Sequence, residues 1–197
     1  NSLEVLLEGR HKSNLVTMTT DGVPNAKPIF KWTNNFSWTY NGNLAGKSLI
    51  TQAVKSAGGS IDGVLRFSIM WNENGNDIVD LDAHAHVQNG SHIYFGNQRD
   101  WKSKGELDID MIRPKGLGVE NIVWKDIHAI NNDVIELKIN NFDKGRNTGF
   151  KAEVVFNGIT YAYHYDGLFM GTKAIATVTI KNGEFSIKHE MPCAEET

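Results

Sequence analysis

The chain has 197 residues, of which 40% are hydrophobic, and its 20 Lys and Arg against 23 Asp and Glu give a formal net charge of −3. Nearly balanced charge argues against nucleic acid as the main partner, because phosphate binding normally requires a basic excess. No apolar run approaches the roughly 20 residues that a membrane-spanning helix needs. The single cysteine, Cys193, excludes an intrachain disulfide and a zinc site made of several thiolates. We therefore expect one packed domain, with or without an appendage, that has neither nucleic acid nor a membrane as partner.

Short runs of β-forming residues follow one another along the chain. In chain order, the candidate strands are 14–20, 27–33, 36–40, 64–71, 78–88, 92–96, 106–112, 133–140, 150–157, 159–165, 173–181 and 184–189. Asn-Gly pairs, which tolerate the positive φ of tight hairpin turns, join successive strands at 89–90, 157–158 and 182–183. The only convincing helix, at 46–57, ends at Gly58-Gly59. The pattern predicts an all-β fold, an antiparallel sandwich or jelly roll with one short helix near its N-terminus.

Residues 1–61 differ from the rest, because they contain the helix and the aromatic stretch FKWTNNFSWTY. We interpret them as a lead-in segment that packs on a β-sandwich formed by residues 62–190, with residues 191–197 as a tail. Trp32, Trp38 and Tyr40 could form a platform on which sugar rings stack, and they are the candidate ligand-binding residues. These aromatic residues also keep a period of two, so burial in the core is the alternative.

The most informative stretch is VDLDAHAHVQNGSHIYFG at 79–96, in which polar and apolar residues alternate. Such alternation predicts a strand with one buried face. The buried face would hold Leu81, Ala83, Ala85 and Val87, and the outer face would hold Asp80, Asp82, His84 and His86. Carboxylates and imidazoles in one row are the side chains that bind metals or transfer protons.

The Asn-Gly pair at 89–90 closes a hairpin between this strand and the next. A two-residue loop would pair Val87 with His92 and so mix a core residue with a polar one on the same face. A three-residue loop with its glycine in the left-handed conformation instead pairs His86 with His92. Because a one-residue slip inverts every side chain, burial of the apolar face selects the second register. His86 and His92 would then lie about 5 Å apart at Cβ.

One candidate metal site uses the histidines of the outer face. Three imidazoles and one carboxylate form a ligand set for Zn²⁺ or another transition metal. These residues are His84, His86, His92 and Asp82. A polar, solvated sheet face is the alternative, because short patterns of this kind often occur without a function.

A second candidate site uses carboxylates. The stretch GELDIDMI at 105–112 repeats the alternation, with Glu106, Asp108 and Asp110 on one face. Clustered carboxylates repel one another unless a cation or hydrogen bonds compensate, and their oxygens suit a hard ion such as Ca²⁺. The expected calcium ligands are Asp80, Asp82, Asp108 and Asp110. We favour these aspartates over the histidines as ligands of any bound cation.

From Val64 to about Tyr165 the chain resembles the YfaP-like family of uncharacterised bacterial and phage β-sandwich domains. The resemblance lies in an ordered series of segments: LRFSIMWNE (65–73), DLDAHAHVQNGSHIYFGN (80–97), GELDIDMI (105–112), GVENIVW (118–124) and GFKAEVVFNGITYAYHY (149–165). It implies a β-sandwich embedded in a larger protein, often on a phage or mobile element. Since the members of that family have no assigned chemistry, the resemblance bears on fold more than on function.

The Asp-Leu-Asp element, followed by a strand that begins with glycine and an acidic residue, is also similar to TerD-type tellurite-resistance domains. Those domains bind calcium through such aspartates. This likeness implies that the ligands would be Asp80, Asp82, Asp108 and Asp110.

Nucleophilic catalysis has little support, because the chain has no Gly-x-Ser-x-Gly elbow and its cysteine lies near the C-terminus. The leading hypothesis is a non-enzymatic binding or assembly module of a larger, phage- or mobile-element-encoded protein, with structural calcium. Its partners would be other domains of that polypeptide or members of an assembly. Low use of cysteine favours a cytoplasmic or phage-associated location.

Two other functions are alternatives to this hypothesis. The first is a module that binds carbohydrate or another surface through Trp32, Trp38 and Tyr40. The second is a metal-dependent hydrolase, whose centre would consist of Asp82, His84, His86 and His92.

Overall fold

The computed structural model describes residues 49–73, 75, 77, 79–112 and 114–194 with their side chains, and residues 15–19, 37–41 and 195–196 by their backbone. The chain divides into two compact units, Asn1–Leu49 and Ile50–Thr197.

The first unit contains one pair of described strands. Strands β1 (Leu15–Thr19) and β2 (Ser37–Asn41) pair antiparallel, with Leu15 opposite Asn41. They match two of the expected strands. The strand expected at 27–33, with Trp32, lies outside the described residues, as do the side chains of Trp38 and Tyr40 on β2.

The second unit contains the remaining elements. Helix α1 (Leu49–Ser56) begins at the boundary between the units and lies within the range expected for a helix. The strands are β3 (Leu65–Trp71), β4 (Leu81–Val87), β5 (His92–Ile93), β6 (Gly105–Ile109), β7 (Gly118–Trp124), β8 (Val134–Asn141), β9 (Gly149–Phe156), β10 (Ile159–Asp166), β11 (Gly171–Lys181), β12 (Glu184–His189) and β13 (Cys193–Glu196). A four-residue helix, α2 (Ile127–Ile130), lies between β7 and β8.

These strands form two sheets. One has six strands in the order β13-β10-β9-β3-β7-β6, and the other has five in the order β12-β11-β8-β4-β5. Neighbouring strands pair antiparallel throughout. The predicted all-β sandwich with one substantial helix is therefore confirmed for the described part of the chain.

Side chains from both sheets meet in one hydrophobic core. On β4, Leu81, Ala83 and Ala85 are completely buried and Val87 is 4% exposed, which confirms the inward face predicted from the alternation. They pack with apolar side chains of the opposite sheet, including Phe67 on β3. Removing one large side chain of this kind from water contributes about 1.5–3 kcal/mol, so this face fixes how β4 is oriented.

The six-stranded sheet is also covered on its outer face. Arg66 on β3 donates from Nη2 to Thr51 Oγ1 of α1 at 3.0 Å and to Glu153 Oε2 of β9 at 3.1 Å. Every residue of β3 and of β7 is buried. Strands buried on both faces lack the alternating pattern. The run of β-forming residues in β3 was still sufficient to predict it, whereas β7, which contains Glu120 and Asn121, was absent from the expected strands.

The expected tail at 191–197 is corrected by the structure. Residues Cys193–Glu196 form β13, which pairs with β10 at the edge of the six-stranded sheet. A short edge strand of this kind is defined by its hydrogen-bonding partner, which the local sequence does not reveal. Strand β5 is also shorter than expected, because the chain turns at Tyr94, whose carbonyl accepts from Asn97 N at 2.9 Å.

The strand register places four connections at one end of the sandwich, which we call the loop end. Trp71 at the end of β3 lies opposite both Gly118 and Phe150. Asn141 at the end of β8 lies opposite both Leu81 and Gly171. The connections of the loop end are 72–80, 110–117, 142–148 and 167–170.

Candidate functional site

Buried carboxylates lie near the loop end, where β4 of one sheet approaches β7 of the other. Asp82 on β4 is 3% exposed, and Glu120 on β7 is completely buried. Strand β5 pairs only with Ala85 and His86 of β4. The backbone amide of Ala83 lies on the same edge of β4, beyond this pairing, and therefore has no strand partner there. Glu120 Oε2 accepts a hydrogen bond from this amide at 2.6 Å. A carboxylate of one sheet thus satisfies a backbone donor of the other.

Three carboxylate oxygens in this region are buried and receive no hydrogen bond from a donor group of the described residues. They are Asp82 Oδ2, Asp110 Oδ1 and Glu120 Oε1. Asp110 follows β6, and its other oxygen accepts from Gln98 Nε2 at 2.7 Å. A buried polar atom without a partner destabilises the fold by about 1–3 kcal/mol, and more when it is charged. Bound protons or a cation would therefore stabilise this part of the fold.

Burial and mutual repulsion raise the pKa values of these carboxyl groups. Burial is the main cause that raises the pKa of Asp82 to about 7, and the charges of Asp80, Asp110 and Asp143 add to it. Burial also raises the pKa of Glu120 well above its ordinary value, against the lowering effect of its backbone hydrogen bond. The charges of Asp82 and Asp110 raise it further, as does a side-chain hydrogen bond between Glu120 and Asp110, which requires one of the two to be protonated. The group therefore favours uptake of protons or of a cation.

We call the interacting carboxylates the acidic cluster, which consists of Asp80, Asp82, Asp110, Glu120 and Asp143. Three of the four aspartates expected as calcium ligands belong to it. The fourth, Asp108, is held elsewhere: its oxygens accept from Ser60 N and from Asn121 Nδ2, each at 2.7 Å. The structure thus brings together most of the expected set and separates one member from it.

Two members of the acidic cluster were missed from the sequence. Glu120 stands in the run GVENIVW, where it is the only acidic residue; a lone carboxylate in an apolar run was the signal that could have revealed it. Asp143 gave no such signal. It reaches the cluster because Leu81 pairs with Asn141 and Phe142 N donates to Asp80 O at 3.0 Å, which is a consequence of tertiary pairing.

The hairpin after β4 has the expected register. Ala85 lies opposite Ile93 and His86 lies opposite His92. Gly90 has a φ of +90°, a conformation that residues with a side chain rarely adopt. The three-residue loop predicted from burial of the apolar face is therefore confirmed.

This register brings three imidazoles together on the outer face of β4 and β5. One ligand nitrogen from each of His84, His86 and His92 lies within 4.8 Å of the other two. His84 Nδ1 is 2.9 Å from His92 Nε2, and the His86 and His92 rings stack with their centroids 3.9 Å apart. We call these three residues the histidine cluster.

The environment keeps the histidine cluster neutral at pH 7. Burial is the main cause that lowers the pKa of His84 to about 4, and the charges of His92, His86 and Lys138 lower it further. Burial also lowers the pKa values of His86 and His92. Neutral imidazole is the form that binds metals.

The two groups of ligands differ in how closely they converge. In the part of the chain that the structure describes, the histidine cluster is the one group of three potential ligands that meets within 4.8 Å, and Asp82 does not belong to it. No three carboxylates of the acidic cluster converge within this distance in the described residues, so these side chains would have to come closer to share one ion. The hydrolase centre that combines Asp82 with the histidines stays a prediction.

Comparisons with protein-family models, with curated proteins and with solved structures found no match to this chain. The YfaP-like and TerD-type resemblances and the carbohydrate platform therefore stay predictions. None of the described helices is long and apolar enough to cross a membrane.

Proposed function

We propose that this chain is a binding or assembly module rather than an enzyme, and that its acidic cluster binds Ca²⁺. The observation that carries the proposal is the set of buried oxygens on Asp82, Asp110 and Glu120 that receive no hydrogen bond from a donor group of the described residues. Burying carboxylates in this way is unfavourable unless opposite charge compensates. A cation would supply that charge and would use the same oxygens as ligands.

The chemistry of the donors favours calcium over other ions. All members of the acidic cluster offer oxygen, the donor that hard cations prefer. Calcium accepts 6–8 oxygen ligands in flexible geometry, whereas magnesium demands a nearly ideal octahedron. Ligands that come from separate strands and loops, such as Glu120 on β7 and Asp143 after β8, suit the more tolerant ion.

Bound calcium would connect parts of the chain that meet at the loop end. Asp82 belongs to the five-stranded sheet and Glu120 to the six-stranded sheet. Asp110 and Asp143 lie in the loops that follow β6 and β8. An ion shared by these groups would hold the two sheets and the two loops in one arrangement, which is the role we assign to it.

The loops at the same end present apolar side chains to solvent. The large ones among the described residues are Ile112 (73% exposed), Leu117 (44%), Phe142 (52%), Leu168 (58%) and Met170 (56%). Exposed apolar patches are a mark of interaction sites, and these side chains come from three connections of the same end. Exposed charges of both signs, such as Lys144, Arg146 and Asp166, lie in or next to the same connections, and interfaces commonly have a polar rim of this kind.

We therefore propose that the loop end binds a protein partner, either another domain of a larger polypeptide or a member of an assembly. The YfaP-like resemblance supports a place in such a larger protein, on a phage or mobile element. Calcium would act indirectly, because it orders the loops that make the contact.

Unfolding of the protein with and without calcium tests the proposal. A cation that binds only the folded state raises the free energy of unfolding by about 2.7 kcal/mol at a hundredfold excess over its dissociation constant. We expect such a rise when CaCl₂ replaces EDTA, and we expect Asp82→Asn to lose most of it. An unchanged midpoint in the parent protein, or the full rise in Asp82→Asn, would disprove the calcium site.

Two matched variants make the test specific. Asp166→Asn changes a carboxylate that is 84% exposed at the same end, and it should keep the full calcium effect. Asp108→Asn separates the two possible ligand sets, because Asp108 hydrogen-bonds to Ser60 and Asn121 outside the acidic cluster. Retention of the effect in Asp108→Asn supports the acidic cluster, and its loss supports the four aspartates expected from the sequence.

A further inference from the structure

The outer face of β4 and β5 carries a second group of ligands, the histidine cluster, which the calcium proposal does not use. We infer that His84, His86 and His92 form a binding site for a late first-row divalent metal such as Zn²⁺. The inference does not depend on the calcium proposal, since the two groups share no residue and differ in donor atoms.

The geometry of the imidazoles is close to what zinc requires. Two nitrogens bound to Zn²⁺ at 2.0–2.1 Å in a tetrahedral site lie about 3.3 Å apart. His84 Nδ1 and His92 Nε2 are 2.9 Å apart, and the ligand nitrogen of His86 is within 4.8 Å of both. Movements of about 1 Å would therefore bring the three nitrogens to tetrahedral spacing, and the stacked rings of His86 and His92 would also have to turn so that their lone pairs point to one ion.

His84 is oriented to bind a metal through Nδ1. That atom faces His92 Nε2 at 2.9 Å, whereas Nε2 is buried on the other side of the ring. A neutral imidazole has one donor and one acceptor nitrogen, so a metal bound at Nδ1 would leave the proton on Nε2.

The rings are held in place by their neighbours. His92 stacks on Tyr94 with ring centroids 4.1 Å apart and on His86 at 3.9 Å. The carbonyl of His92 accepts from Asn97 Nδ2 at 2.7 Å. Supports of this kind reduce the ordering that a metal must impose on its ligands.

The charged groups that face the histidine cluster come from β8. Lys138 lies opposite His84 and Glu136 lies opposite His86. Lys138 would repel a cation, but its ammonium is paired with Glu136 Oε2 at 2.6 Å. Glu136 lies opposite His86, and its carboxylate would have to move towards the imidazoles to serve as a fourth ligand. Imidazole with one carboxylate suits zinc and its neighbours better than calcium.

Titration calorimetry with Zn²⁺ on chelator-treated protein tests the site. Millimolar CaCl₂ in the buffer competes with zinc for the carboxylates, and the Asp82→Asn variant shows independently whether the acidic cluster contributes to the zinc signal. We expect one zinc per chain. In His86→Gln and His92→Gln we expect affinity to fall by more than the 10–100-fold that loss of an outer-shell partner typically produces.

Controls separate a specific site from general histidine binding. His164 is exposed and pairs with Asp166, so His164→Gln should bind zinc as the parent does, and Asp82→Asn should also retain it. Failure of the parent to bind zinc, unchanged affinity in both cluster variants, or loss in His164→Gln would overturn the inference. Loss in Asp82→Asn would likewise overturn it as an independent site.

A spectroscopic measurement covers the case in which a glutamine variant does not fold. In the unmodified protein, zinc should shift the ring NMR signals of His84, His86 and His92 and leave those of His164 and His189 in place. Unshifted signals of the three cluster histidines under saturating zinc would disprove the site without any variant.

Discussion

The outer face of β4 carries ligands of both clusters, yet it passes through two different environments. Near the loop end, Asp82 is only 3% exposed and interacts with Asp110 after β6 and with Glu120 of the opposite sheet. Farther along, β5 pairs with β4 and leaves His84 and His86 half-buried. Alternation along a strand therefore decides which side chains share a face. The neighbouring strands decide whether the side chains on that face are shielded from water.

The two faces of β4 should respond very differently to the same substitution, and this is the largest effect that we expect. Leu81→Asp buries an unpaired charge in the core and should destabilise the fold by about 4 kcal/mol or more. His86→Asp places the same charge on the outer face and should change stability by about 1 kcal/mol or less in the absence of metal. Urea unfolding followed by circular dichroism measures both. Equal destabilisation would show that the faces are wrongly assigned.

In EDTA, the acidic cluster should make the protein less stable as pH rises. The pKa of Asp82 is raised from 3.8 to about 7 in the folded state, so its contribution to stability is complete below about pH 4 and is lost as pH rises through 7. The loss should be roughly 3 kcal/mol. Urea unfolding between pH 4 and pH 8 measures this loss. The free energy of unfolding of the parent should fall with rising pH by more than that of Asp82→Asn. Parallel profiles for the two proteins would contradict the prediction.

The histidine cluster should produce a smaller effect of opposite sign. The pKa of His84 is lowered from 6.5 to about 4 in the folded state, so its contribution is complete above about pH 6.5 and is lost as pH falls through 4. We expect roughly 2 kcal/mol, because the ring is only partly shielded from solvent. Comparing His84→Gln with the parent over the same pH range measures it. A variant that loses stability on acidification as steeply as the parent would refute this assignment.

Much of the β4 hairpin could be predicted from the sequence. The apolar residues Leu81, Ala83 and Ala85 mark the inward face, and the glycine at 90 marks the turn. Only one loop length keeps those residues buried, so His86 had to lie opposite His92. Predictions of this type succeed because the interactions that decide them lie within about ten residues of one another.

The acidic cluster was only partly predictable. Asp80, Asp82 and Asp110 were expected from alternation, but alternation also predicted Asp108, whose carboxylate bonds to Ser60 and Asn121. The β6 ladder shifts register between Leu107 and Ile109, and this irregularity separates Asp108 from the residues that the pattern grouped with it. A bulge is a property of paired strands and leaves no reliable trace in one strand alone.

Local periodicity and turn chemistry were enough to predict the all-β class, the positions of most strands, the inward face of β4 and the hairpin that gathers the histidines. Three other features could not be read from the residues alone: β7 is buried on both faces, residues 193–196 form an edge strand, and Glu120 and Asp143 join the acidic cluster. These features depend on strand pairing and sheet packing between residues far apart in the chain, because the partner sets how deeply each side chain is buried.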